Sequence, residues 1–330
     1  MNIYGIDDGH SSIKIVNGKK ENFPSRVAVG RSNTFDVITG EVDNATYKVG
    51  GSSYTVVSSD ESAFDTRTDD FPTSDINVVL VNHALDRQSA CGDIAICTGL
   101  PFNRFYSKGV SNSRLISAKK EAFKSQVDGC KKSFNIVKHF VCAEGVAGYY
   151  DLVLNDDGSF NESIKEAISD DTVVIVDIGG RTTDIVTFRD GKIDFSKSVT
   201  MDMGCLSVED KLQENLQAEL QCYDIPQKAI KKTIENEGIY ISTKNEFDFS
   251  EILNDSKREL ASNIVNKLKS LVNNTIDLSL VVFIGGGSIL VKDDLKELFD
   301  EKYIKFSKDP VYANARGMKK LATRGINNDG

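Results

Sequence analysis

Val173-Val174-Ile175-Val176-Asp177-Ile178-Gly179-Gly180-Arg181-Thr182-Thr183-Asp184 carries the densest information in this chain. The run of β-branched residues predicts a buried strand. That strand reaches Asp177, and Gly179-Gly180 turn the chain. Ile185-Val186-Thr187-Phe188 then starts an antiparallel partner, which Asp190-Gly191 closes as a tight hairpin turn. Glycines lack a Cβ, so backbone N–H groups in such a turn can converge on an anion. A carboxylate beside that nest repels phosphate unless a divalent cation or a water lies between them. The combination points to a metal–nucleotide site, although a Gly-rich hairpin turn is also a common structural device.

Near the start of the chain the same order recurs. Asn2 to Ile6 reads as a strand ending in Asp7-Asp8-Gly9-His10-Ser11-Ser12, and Ile13-Lys14-Ile15-Val16 is the return strand before Asn17-Gly18. The Asp-to-turn-Gly spacing is 11 positions here and 14 in the later copy. Two such hairpins, at the starts of the two halves, predict a duplicated fold with two phosphate-gripping loops facing one ligand. Lys14 stands at the first loop's exit, where it can reach a phosphate oxygen. By itself it also reads as a solvated strand lysine.

Composition narrows the classes. A length of 330 residues favours about two domains, and 40% hydrophobic with 27% charged residues is ordinary for a soluble globular chain. No apolar run approaches a membrane span, and the N-terminus lacks a basic, apolar signal segment. The six cysteines form no Cys-x-x-Cys pair and read as reduced core thiols of a cytosolic protein; three scattered histidines give no zinc signature. A net charge of −9 argues against direct binding along a nucleic-acid backbone.

Between the hairpins, Glu21 to Asp75 reads as a small, mostly β insertion with a hairpin around Gly50-Gly51. A helix follows from Asp75, then a strand from Asp93 to a Gly99-Leu100-Pro101 stop, then an aromatic-bearing loop from Phe102 to Tyr106. The basic region Ser113 to Gln126, with Arg114, Lys119, Lys120 and Lys124, reads chiefly as a solvated helical face. Phe134 to Cys142 is a strand, and Glu144 falls at the start of a small-residue helix. There a glutamate either meets a ligand at the strand ends or simply caps the helix. Gly204 lies in a loop before a helix spaced by Val208, Leu212, Leu216 and Leu220. The Glu259–Val272 stripe is core. Leu278 to Ile284 is a buried strand ending in Gly285-Gly286-Gly287-Ser288, with a helix from about Ile289. Glycines at that junction allow close approach of a flat ring or a phosphate. Neither Gly-x-x-x-x-Gly-Lys-Ser/Thr nor Gly-x-Gly-x-x-Gly is present, which disfavours phosphate-loop NTPases and dinucleotide oxidoreductases.

Together, Asp7–Lys14 resembles the first phosphate loop of the actin-like ATPases, Asp177–Asp184 the second, and Gly285–Ser288 the adenosine motif, in matching order over essentially the whole chain. Pro310–Gly317 resembles the ending of bacterial actins. Asp75–Val79 with His83-Ala84-Leu85, and Thr98–Phe102, resemble the plasmid-segregation actins of the ParM/StbA family. The resemblance implies an α/β chain of actin-like fold: two duplicated domains, each a mixed sheet with helices, flanking a nucleotide cleft. Residues 1–165 would form the first, with an insertion at about 21–75. Residues 166–330 would form the second, with a helical insertion at about 205–277 and a closing helix at about 310–322 returning to the first domain.

It also implies roles. Asp7 and Asp177 would hold Mg2+ through water, and Glu144 would orient the attacking water with Asp177 as its catalytic companion. Asp8, Gly9, His10, Ser11, Ser12 and Lys14, with Gly179, Gly180, Arg181 and Thr182, would bind phosphates. Gly204, Gly285, Gly286, Gly287 and Ser288 would support the nucleoside of ATP or GTP. His10 and Arg181 depart from the family's small or hydroxyl residues at their positions. The implied activity is nucleotide hydrolysis coupled to head-to-tail filament assembly in the cytoplasm. A ParR-type DNA-binding adaptor on a centromere-like plasmid site would join filament to plasmid, with no direct DNA or membrane contact. A small-molecule kinase and a non-polymerising regulatory ATPase of the same superfamily are the alternatives.

Overall fold

The structure is a computed structural model describing residues 1–30, 45–57, 63–64, 66–168, 171–222, 225–242, 245–272 and 278–328. It divides into two compact units, one of Met1–Ser169 with Val311–Gly330 and one of Asp170–Pro310. The final segment therefore groups with the first unit rather than with the half that precedes it in sequence. Among the described residues no helix is long and apolar enough to cross a membrane.

The first unit is built on a five-stranded sheet in the order Phe134–Ala143, Gly92–Leu100, Asn2–Asp8, Ser12–Asn17, Lys19–Pro24. The first three strands run parallel and the last three form an antiparallel meander. Alternation along the strands sends Tyr4, Ile6, Ile13, Ile15, Ile94 and Ile96 into one core with Val78, Val79 and Leu80 of helix Asp75–Arg87. Ser74 caps that helix, accepting from the Asn77 amide. The intervening Gly5 faces the other way, where a Cβ would fall 1.9 Å from the Ala315 carbonyl oxygen of the closing helix Ala313–Asn328. The sequence reading ends that helix near residue 322. Ala315, Met318 and Ala322 continue a buried stripe, and the helix runs on to Asn328.

Residues 21–24, expected in the insertion, instead form the third strand of the meander. The insertion proper is a three-stranded sheet, Val27–Val29, Ser52–Val56 and Ala45–Val49. Gly50 and Gly51 turn its hairpin at φ of 57° and 85°. Its residues 31–44, 58–62 and 65 lie outside the described residues. The expected loop at Phe102 to Tyr106 is a helical turn, Phe102–Phe105, followed by a short strand pair, because Phe102 is buried directly after Pro101.

The second unit repeats this plan. Its sheet runs Lys192–Ile193, Thr183–Arg189, Thr172–Ile178, Leu278–Ile284, Ile304–Phe306, with Val199–Met201 also pairing along Thr183–Arg189. Again the strand that opens the unit has an antiparallel hairpin partner on one side and a parallel strand on the other. Asp190 and Gly191 turn the hairpin at φ of 50° and 70°. The expected insertion at 205–277 is narrower in the structure. Leu212, Leu216, Ile225, Ile230 and Phe249 close a small core of their own. Leu260, Ile264, Val265 and Leu268 of helix Ser250–Val272 pack instead with Val174 and Val176 of the sheet. One continuous apolar stripe on that helix serves the main core, so the insertion ends near its start. Positions 223–224, 243–244 and 273–277 of this range lie outside the described residues.

Candidate functional site

The two Asp-containing hairpins share one register. In the first, Asp7 pairs with Lys14 and Asp8 with Ile13; in the second, Asp177 pairs with Asp184 and Ile178 with Thr183. Each pair is joined by a four-residue loop, Gly9–Ser12 or Gly179–Thr182. In the first loop the Gly9 carbonyl accepts from Ser25 Oγ (2.7 Å), that of His10 from Thr66 Oγ1 (2.6 Å) and that of Ser11 from the Ser25 amide (3.1 Å). In the second, the Gly179 and Gly180 carbonyls accept from the Cys205 (3.0 Å) and Leu206 (2.9 Å) amides. A trans peptide points its N–H opposite to its C=O. Pinning these carbonyls inward therefore turns the amides of His10, Ser11 and Ser12, and of Gly180 and Arg181, outward. Outward-turned consecutive amides in a loop form an anion-binding concavity.

His10 sits in its loop for a reason that its sequence position does not reveal. Its Nδ1 lies 2.5 Å from the Thr66 carbonyl and its ring lies against Phe71, so the side chain braces the loop against the segment that follows the small sheet. Ser11 and Ser12 complete the loop. Asp7 is buried, with Oδ2 3.3 Å from Lys14 Nζ. Burial raises its pKa; Lys14 opposes that shift and Asp8 adds to it.

Asp8 points to the opposite face and is committed inside the unit. Its Oδ2 accepts from Lys119 Nζ (2.6 Å) and Asn77 Nδ2 (2.8 Å), and its Oδ1 from the Gly99 amide (2.9 Å). The Asp8 carboxylate is thus an internal anchor, which corrects its expected place among phosphate contacts; only its backbone adjoins the loop. Lys119, expected on a solvated face, is 1% exposed and also donates to the Gly99 carbonyl at 2.6 Å. Nothing local in the sequence marks it, because its partners are 111 and 20 positions away.

Glu144 follows the last residue of strand Phe134–Ala143 and precedes helix Val146–Val153. Its amide donates to the Leu100 carbonyl at 2.8 Å. It does not cap the helix: the N-cap is Gly145, at φ 75°. Its carboxyl lies over Gly99, where a Cβ would stand 3.1 Å from Glu144 Oε1 and 2.8 Å from Met318 Cε.

In the second unit Asp177 and Asp184 are both buried, with carboxylate oxygens within 4.8 Å of each other, and Thr200 Oγ1 donates to Asp184. Asp184 ends the quoted motif but takes no role of its own in the sequence reading, though the hairpin register sets it opposite Asp177. Arg181 reaches outward to Asp202, Nε to Oδ1 3.4 Å. Gly204 packs against the second loop, where a Cβ would lie 2.4 Å from the Gly180 carbonyl oxygen; its smallness serves loop packing. Of the later glycines, Gly285 (φ 82°) and Gly287 are crowded by Ile178, with added Cβ atoms at 2.4 Å from its carbonyl oxygen and 2.3 Å from its Cγ2. Gly286 has nothing within 4 Å of such a Cβ. Ser288 is buried, and its Oγ donates to the Gly285 carbonyl at 2.8 Å, so that hydroxyl closes the turn. The helix after it begins at Gly287, two residues earlier than expected.

Comparison with known proteins gives two family matches. Residues 5–146 match the N-terminal domain of actin-like proteins, and residues 175–297 match the C-terminal domain of the archaeal MreB-like actin homologue. No curated protein matches the chain in sequence. Among solved structures, the archaeal actin homologue Ta0583 in complex with ADP is 22% identical with a TM-score of 0.75, covering 98% of this chain and 100% of its own. A 15-stranded ParM filament from Clostridium botulinum is 21% identical with a TM-score of 0.79, covering 98% and 100%. The actin-like protein Alp7A is 16% identical with a TM-score of 0.73, covering 99% and 97%.

Proposed function

This chain belongs to the actin-like proteins, and within that family we propose that it is a nucleotide triphosphatase that assembles head-to-tail into filaments and moves plasmid copies apart. The observation that carries the nucleotide reading is the pair of loops with inward-pinned carbonyls, each following a buried aspartate at the same register position. An added Cβ at Gly179 would stand 3.0 Å from the Thr182 carbonyl oxygen, so the loop leaves little room for a side chain there. Such loops fit phosphate oxygens, and Lys14 supplies a cation beside the first.

Phosphoryl transfer needs charge neutralisation and in-line positioning more than covalent help. The loop amides and Lys14 bind the phosphates, Glu144 orients the attacking water, and Gly286 leaves room for the nucleoside. Mg2+ held through water by Asp7 and Asp177 would neutralise phosphate charge, a role suited to their oxygen-donor carboxylates. Asp184 stands beside Asp177 and adds negative charge for such a cation.

Nucleotide binding favours the subunit state that polymerises, and hydrolysis weakens it, because the γ-phosphate has different affinity for the two states. Head-to-tail contacts that do not close into a ring give an open filament. The ParM filament among structures of the same fold supports this reading, and a DNA-binding adaptor would link an acidic filament to its plasmid cargo.

Ultracentrifugal pelleting with ATP, GTP or a non-hydrolysable analogue tests the proposal: sedimentation is expected only with a triphosphate. No sedimentation across a wide protein range rejects the filament, and phosphate transfer to an added small-molecule acceptor would favour a kinase. Glu144→Ala is expected to slow hydrolysis about 100-fold or more while polymerisation persists and filaments live longer. Hydrolysis at the normal rate in this variant removes Glu144 from the mechanism.

A further inference from the structure

We infer that Lys119 and Gly99 are positioning residues for Glu144, acting as a buried cradle that fixes where its carboxyl stands. The inference rests on the hydrolytic role proposed for Glu144, and its observations all lie within the first unit. Gly99 is held by both of its backbone groups: its N–H donates to Asp8 Oδ1 at 2.9 Å and its C=O accepts from Lys119 Nζ at 2.6 Å. Lys119 closes the ring by donating to Asp8 Oδ2 at 2.6 Å. Both charged side chains of this ring are 1% exposed. Removing two charges from water is costly, and an apolar pair of similar size commonly gives equal or greater stability. The second hairpin shows that alternative, since the position corresponding to Asp8 in register is Ile178. The buried ion pair is therefore not demanded by this hairpin architecture.

What the pair does is immobilise Gly99. The α-carbon of Gly99 is the floor on which Glu144 rests, since an added Cβ would stand 3.1 Å from Oε1 and 3.5 Å from Cγ. The amide of Glu144 is tied to the next residue along, Leu100, at 2.8 Å. A shift of the Gly99 peptide therefore moves both the backbone anchor and the side-chain floor of Glu144. Displacement of a reacting group by about 1 Å can cost on the order of 100-fold in rate without a comparable loss of binding.

The test is Gly99→Ala, which keeps both backbone bonds and whose nearest contacts would be side-chain atoms of Met318 and Glu144. The expected result is a fall in kcat of about tenfold or more, with nucleotide affinity, read by a fluorescent analogue, within about twofold of the parent. Lys119→Met is expected to shift kcat in the same direction, and if it does not fold, Gly99→Ala decides alone. In a Glu144→Ala background, Gly99→Ala is expected to cause no further fall, because there is no carboxyl left to displace. An equal fall in that background, or a loss of nucleotide binding matching the loss of rate, overturns the cradle. An unchanged kcat in Gly99→Ala also overturns it. Normal hydrolysis by Glu144→Ala alone is a different failure: it removes the carboxyl's role and leaves nothing for the cradle to position.

Discussion

The two Asp hairpins have the same strand register and loop length, and two of their differences change the buried charge. Opposite the loop aspartate, the first hairpin has Lys14 and the second has Asp184. One step further along the opening strand, the first has Asp8, buried against Lys119, and the second has Ile178, which crowds Gly285 and Gly287. The two backbones match, and their side chains differ in charge. One copy couples its carboxylate to a cation, and the other doubles the negative charge, which suits the Mg2+ role proposed for Asp177. The loops themselves, with carbonyls pinned from behind, are what both copies keep.

This contrast can be broken deliberately. Lys119→Met strands Asp8 as an unpaired buried charge, and urea unfolding should show a loss of about 3–5 kcal/mol. Pairing it with Asp8→Ile makes the first hairpin resemble the second and should recover most of that loss. Failure to recover would mean that the ion pair contributes more than the Ile178 arrangement implies.

A second difference is pH. His83 and His139 lie in the first unit and are held neutral by burial, at about 4 and about 3, while the second unit contains no histidine. A histidine whose folded pKa is depressed gives stability that is full above its unfolded value of about 6.5 and is lost as pH falls towards the folded value. The slope approaches about 1.4 kcal/mol per pH unit for each group. The raised pKa of Asp7 acts oppositely, relieving a buried charge as pH falls. With both histidines acting in one direction, hydrogen exchange between pH 6.5 and 4 should show protection falling more steeply in the first unit than in the second.

The smallest expected effect separates glycines that the protein needs from one left open. Gly286→Ala should alter stability by no more than about 0.5 kcal/mol. Gly285→Ala, at positive φ and against the Ile178 carbonyl, should cost clearly more. If Gly286→Ala weakens nucleotide binding without changing the urea midpoint, the open position faces the ligand.

Much of this was legible in sequence. Asn17-Gly18 and Asp190-Gly191 announce their turns, β-branched runs announce the strands, and the Asp–Gly–hydroxyl order announces the loops. Lys119 was not legible, because a lysine in a basic helix carries no local mark of a partner 111 positions away in sequence. The edge of the second insertion was hidden for the reverse reason. Helix Ser250–Val272 carries one unbroken apolar stripe, and sequence periodicity does not say which of two cores a stripe will join. Gly204 and Ser288 have the composition expected of ligand contacts, but close packing and turn closure account for them.

The closing helix lies so near its neighbours that a methyl on Gly317 would stand 1.7 Å from the Ala147 carbonyl oxygen, and Arg316 and Lys320 both reach Asp151. The second unit is continuous in sequence and falls between the two segments that make up the first. Synthesis therefore delivers the younger half whole before the older half can finish. The first sheet must wait, with one face uncovered, until the last turns of the chain emerge. Completion of the first unit is a late event, and a chain released after residue 310 would carry every strand of both sheets but lack the helix that covers the first.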